Sequence, residues 1–80
     1  DTHNDLGLAY LYTGRKEKAV ATLKKGIELD PSYQRIWLTT GFTYLTLKNE
    51  EEARKALKKA VELDPGSTIG KEAERMLGLF

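Results

Sequence analysis

Apolar positions in this chain recur with the period of a helix. From Thr2 to about Thr13, His3, Leu6, Gly7 and Tyr10 fall at i, i+3, i+4 and i+7, which is one face of an α-helix. Gly14 then supplies a residue able to close the last turn in a left-handed conformation. A second helix is expected from about Lys16 to Leu29, with Ala19, Val20, Leu23 and Ile27 inward and Lys24 and Lys25 outward. Asp30-Pro31 stops it, because proline disfavours helical backbone in the residue before it. A third helix, from about Tyr33 to Leu47, carries Ile36, Trp37, Leu38, Phe42, Tyr44, Leu45 and Leu47 around most of its circumference, which suits a central element packed on several sides. Asn49 followed by Glu52 marks a fourth start, with Glu50 and Glu51 where the helix dipole favours negative charge, and Asp64-Pro65-Gly66 ends it. In a fifth helix Ala73, Met76, Leu77 and Phe80 share one face, opposite Lys71, Glu72, Glu74 and Arg75.

The pattern is written twice. Setting residues 1–31 against 35–65 gives twelve identities, where unrelated sequences of ordinary composition give about two. The run Glu28-Leu29-Asp30-Pro31 returns as Glu62-Leu63-Asp64-Pro65, and Gly7, Tyr10, Leu11, Ala19 and Leu23 return as Gly41, Tyr44, Leu45, Ala53 and Leu57. A helix pair of this length cannot bury its apolar face alone, so stacked copies share a core. Gly7 and Gly41 are small where an inner helix meets its own partner, and Gly26 and Ala60 are small where the following inner helix arrives. Enlarging any of them is expected to cost about 1–3 kcal/mol through overpacking.

Composition narrows the function more than the fold. Eighty residues make one domain, and a chain of this size buries only about 60% of the surface its unfolded form exposes. A net charge of +1 gives no general attraction to nucleic acid or an anionic membrane. Lys24-Lys25 and Lys58-Lys59 are offset by Glu28 and Glu62 and read as a solvated face. No cysteine is present, which removes disulfides, thiolate ligands and thiol nucleophiles. No apolar run approaches the roughly 20 residues of a membrane span. A sequence that opens at Asp1 reads as a piece of a longer protein, so its compartment stays unread.

These residues resemble the tetratricopeptide repeat, a 34-residue unit with the pattern W-x2-L-G-x2-Y, then A-x3-F, then P. The first copy offers His3, Leu6, Gly7, Tyr10, Ala19, Leu23 and Pro31, and the second Trp37, Thr40, Gly41, Tyr44, Ala53, Leu57 and Pro65. The match covers about residues 1–67. It departs at His3, at Thr40, at Leu23 and Leu57 where an aromatic is usual, and at Lys48 where the first copy has Gly14. The histidine suggests a first helix with no repeat packed before it, or one cut from such a repeat. The resemblance implies an all-α fold of antiparallel helix-turn-helix repeats, a five-helix α-solenoid with repeats at 1–33 and 34–67. Leu77-Gly78 echoes Leu6-Gly7 three residues later than a third copy would place it, so 68–80 is expected to be a C-terminal capping helix.

The third helix carries two apolar stripes. Trp37, Gly41 and Tyr44 occupy one side, while Leu38, Phe42 and Leu45 lie about 100° round; the first helix repeats this with Leu6, Gly7 and Tyr10 against Leu8, Leu11 and Tyr12. The first stripe is expected in the core, Tyr10, Trp37 and Tyr44 included, with their polar tips at its edge. An exposed second stripe on a monomer usually binds something. In the family it faces a concave groove, so the resemblance implies a ligand-binding lining of Asn4, Leu8, Leu11, Tyr12, Leu38, Phe42 and Leu45, with Tyr33 and Arg35 at the rim. An extended or helical peptide with apolar anchors suits that lining. Side chains of neighbouring helices can also interlock there and leave little open groove. The basic clamp some relatives use on carboxylate tails finds Asn4, Leu8, Thr39, Ile69 and Ala73 at its positions, too apolar for that ligand.

No catalytic arrangement stands out. His3 is the sole histidine, and with Asp1 and Asp5 its spacing does not place three metal ligands on one helix face. Asp1 or Thr2 reads instead as a helix cap. With no triad and no phosphate-cradling glycine loop, the expectation is a non-catalytic module without cofactor or metal. Its partners are a protein or peptide, a second copy, or neighbouring repeats, with no role for nucleic acid or membrane.

Overall fold

The computed structural model describes residues 2–80, folded as five helices: α1 (Thr2–Tyr12), α2 (Lys16–Leu29), α3 (Gln34–Thr46), α4 (Glu50–Leu63) and α5 (Thr68–Leu77). Asp1, one of the two residues proposed to cap α1, lies outside the described residues, and Thr2 is already helical. The α2 and α4 stops act as their Asp-Pro pairs require, with Asp30 and Asp64 leaving helical geometry at φ −150° and −165°. Asn49 caps α4 by accepting from the Glu52 N–H at 3.3 Å, and Ser67 caps α5 by accepting from the Gly70 N–H at 2.9 Å. Each satisfies one of the donors a helix start leaves unpaired.

Within each pair the helices touch through glycine. A Cβ on Gly7 would lie 2.6 Å from Leu23 Cδ2, and one on Gly41 equally close to Leu57 Cδ2. Both leucines are fully buried, and truncating a leucine in such a position costs about 2–5 kcal/mol. Between pairs, Gly26 admits the Ile36 side chain, and His3 Cβ also closes on the place an added Cβ would take. Thus the small residues stand where helices approach one another.

The third helix is central, packing against all four others. Its buried residues are Ile36, Thr39, Thr40, Gly41 and Thr43, of which the hydropathy pattern does not pick out the threonines. Threonine enters this core because Thr40 Oγ1 donates to the Ile36 carbonyl at 2.7 Å and Thr43 Oγ1 to the Thr39 carbonyl at 2.8 Å. With its hydroxyl satisfied by its own helix, each threonine presents a methyl group to its neighbours. Trp37 and Tyr44, expected in the core, are only half-buried. The Trp37 indole N–H reaches the edge and donates to the Pro31 carbonyl at 2.8 Å.

The expected core stripe of α1 is rotated. Asn4, Gly7 and Leu11 are buried there, while Tyr10 is half-buried and Leu6 is 42% exposed. The cause is geometric: among the described residues α1 packs only on α2 and α3, so the residues facing those two helices close and the opposite flank stays open. In α3 the residue equivalent to Leu6 is Thr40, only 5% exposed, on a helix that has α2 as an additional neighbour.

Gln34 joins the second pair to the last helix. Its Nε2 donates to the carbonyls of Ala60 at 2.7 Å and Asp64 at 2.9 Å, and its Oε1 lies 2.9 Å from the Ser67 hydroxyl. Behind this polar joint, Leu57 and Ala60 of α4 meet Ala73 and Met76 of α5 in the core, flanked by Trp37, Leu38, Leu45, Val61 and Leu77. Phe80, expected on the apolar face of the capping helix, follows the end of α5 and is 39% exposed. The Arg54 guanidinium lies 4.8 Å from the centre of its ring.

Candidate functional site

Side chains of α1, α3 and α5 converge at one surface depression. Leu8 and Tyr12 from α1, Leu38, Thr39 and Phe42 from α3, and Glu72 and Met76 from α5 line a shallow hollow of ≈ 240 Å³. Tyr12 is 74% exposed and Phe42 38%, so two aromatic rings stand at its edges. Helical spacing explains the walls: Leu8 and Tyr12, Leu38 and Phe42, and Glu72 and Met76 are each four residues apart, one turn along a helix.

Of the nine residues expected to bind, the structure brings Leu8, Tyr12, Leu38 and Phe42 together in this hollow. Asn4 and Leu11 lie elsewhere. Both are buried, because positions 4, 7 and 11 of α1 form the flank covered by α2 and α3. Leu45 packs beside the α4–α5 core. Tyr33 is the N-cap residue of α3 and half-buried, and Arg35 is exposed in the first turn of that helix; neither lines the hollow.

Glu72 and Met76 were not anticipated there, and Thr39 was named only as a position of the carboxylate clamp. Glu72 was expected on the face opposite Met76, but residues four apart lie within about 40° of one another on a helix, and the docking of α5 turns that side toward α1 and α3. Glu72 also forms an ion pair with Arg75, whose Nη2 lies 2.5 Å from Glu72 Oε2. The Arg75 hydrogen bond holds the Glu72 carboxyl below its ordinary pKa, while Arg75 is raised by the same contact.

A larger cleft opens on another side of α3. Lys24, Ile27 and Glu28 of α2 and Glu52, Lys55 and Ala56 of α4 form its walls, with Trp37, Thr40 and Tyr44 of α3 between them. Its volume is ≈ 400 Å³ and its lining is mostly apolar. Among the described residues no group of three or more His, Cys, Asp or Glu side chains stands close enough to hold a metal ion, and no helix is long and apolar enough to cross a membrane.

Comparison with protein families places these observations. Residues 4–68 match the model of the tetratricopeptide repeat, and the chain belongs to that family. No curated protein matches the sequence. Tetratricopeptide repeats are generally non-catalytic scaffolds that mediate protein–protein interactions.

Proposed function

We propose that this chain is a non-catalytic interaction module that takes an apolar anchor of a partner peptide or helix into the hollow between α1, α3 and α5. The observation that carries the reading is the meeting of Leu8, Tyr12, Leu38, Phe42 and Met76 in one concave patch, with both aromatic rings open to solvent. At ≈ 240 Å³ the hollow is smaller than the roughly 300–1,000 Å³ of small-molecule sites, and suits a single side-chain anchor. Aromatic and aliphatic anchors seated in such hollows supply most of the energy of peptide recognition.

Peptides selected from a displayed library of amphipathic sequences test this. Binders are expected to shift the amide resonances of Leu8, Phe42 and Met76, and to be lost with Phe42→Glu while the far-UV circular dichroism stays unchanged. Binders that survive Phe42→Glu, or that perturb only α2 and α4, refute the groove.

A second reading is favoured by one observation, the contrast between Leu6 and Thr40. In it the open flank of α1 docks on another copy or on a neighbouring repeat, supplying to α1 the cover that α2 gives α3. Sedimentation velocity distinguishes this: a concentration-dependent dimer abolished by Leu6→Glu supports self-association. A monomer throughout, with Leu6→Glu neutral, removes it.

A further inference from the structure

The two repeats differ at one charged position beside an equivalent tyrosine. In the first, the Lys18 ammonium lies 5.8 Å from the centre of the Tyr10 ring, within the range of a cation–π contact. Thirty-four residues on, Tyr10 becomes Tyr44 and Lys18 becomes Glu52. At the position where the first repeat has a cation, the second therefore has a carboxylate, on a residue that lines one cleft with its tyrosine. It also has a tryptophan, Trp37, at the position of His3, and both aromatics line the ≈ 400 Å³ cleft.

We propose that this cleft receives a lysine or arginine side chain from a partner polypeptide, the cation supplied in trans where Lys18 supplies it in cis. The stem of such a side chain would lie along Ile27, Trp37 and Ala56, and its charge would meet Tyr44, Glu52 and Glu28. Glu52 is the half-buried acid of the cleft, whereas Glu28, Lys24 and Lys55 are exposed. Lys24 and Lys55 make the four rim charges sum to zero. Neither is paired with Glu28 or Glu52, since the ion pair among the described residues is Arg75–Glu72. Their long stems leave the ammonium groups free to stay in water, and a carboxylate set in an apolar cleft is the group that gains most from an incoming cation. This site is separate from the groove of the proposed function and stands or falls independently of it.

The test is an NMR titration with a capped pentapeptide, acetyl-Gly-Leu-Lys-Leu-Gly-amide, against the same peptide with norleucine in place of lysine. The lysine peptide is expected to move the Trp37 indole N–H and the Glu52 amide, and to bind about fivefold or more tighter than the norleucine peptide. Glu52→Lys recreates the arrangement of the first repeat and is expected to abolish binding, while Glu52→Gln weakens it. Should Glu52→Lys disturb the fold by circular dichroism, the Glu52→Gln result decides. Equal binding of both peptides, no binding of either, or a Glu52→Gln protein that binds like the parent overturns the proposal.

Discussion

Gly14 and Lys48 hold the same left-handed backbone, with φ at +79° and +63°. They occupy equivalent places in the turns between α1 and α2 and between α3 and α4. Glycine enters that region freely, whereas an L side chain there is strained by about 1–2 kcal/mol. Replacing Lys48 by glycine is expected to stabilise the protein by about 0.5–1 kcal/mol, the relief being partly offset by the greater freedom of glycine in the unfolded chain. Gly14→Ala is expected to destabilise by about 1 kcal/mol through backbone strain alone, because nothing lies within 4 Å of an added Cβ. Urea unfolding of both variants measures the pair. A destabilising Lys48→Gly would contradict the account.

The helical glycines divide by what they touch. A methyl group at Gly41 meets the Leu57 side chain, which can yield, whereas one at Gly70 meets the Asp64 carbonyl of the backbone, which cannot. Gly41→Ala is expected to cost about 1–3 kcal/mol, reduced by about 1 kcal/mol from alanine's better helix propensity. Gly70→Ala is expected to cost more and to undock α5. Chemical denaturation ranks them, and the reverse order would show that the carboxyl-terminal joint is more pliant than its geometry.

Ser67 caps α5 and also contacts Gln34, so one hydroxyl links a helix start to the second repeat. Ser67→Ala is expected to lose about 1 kcal/mol from the cap. Amide hydrogen exchange is expected to accelerate in α5 more than in α1 or α2. Uniform acceleration across the chain would mean that α5 unfolds only with the whole molecule.

The Glu72–Arg75 pair sets one acid-dependent contribution. Its carboxyl titrates below its ordinary value because of the Arg75 hydrogen bond, so the folded state binds that proton less readily than the unfolded state. The contribution is present above the unfolded pKa and fades as pH falls through the lowered folded one. Both side chains are exposed, so the effect is small and weakened by salt. Thermal melts of the parent and Glu72→Gln are expected to differ slightly at neutral pH in low salt and to converge in acid. A gap that widens in acid would exclude the pair as its source.

Much of the fold was legible residue by residue. The second helix is bounded as its sequence dictates, from Lys16 to Leu29, because its stop is a local property of Asp30-Pro31. The Asn49 cap and the close contacts of Gly7, Gly26 and Gly41 were likewise readable, since turn chemistry and side-chain size act over a few residues or one repeat. The groove was less so. Helical spacing set Leu8, Tyr12, Leu38 and Phe42 on second apolar stripes and the family resemblance implied that these share a groove, but Glu72 and Met76 join them through a helix whose docking depends on Gln34, Leu57 and Ala60 at a distance in sequence.

By itself, then, the order of residues determined five helices, where they stop, and that two of their pairs are copies. Which flank of each helix is covered was decided only in three dimensions. Leu6 is open and Thr40 closed at equivalent positions because cover depends on neighbours. Thr40 and Thr43 are buried because a hydroxyl bonded within its own helix no longer needs water. The same holds for Glu52: its charge, opposite to that of Lys18, is read from the sequence, but its place in one cleft with Trp37 and Tyr44 comes only from the packing of α2, α3 and α4.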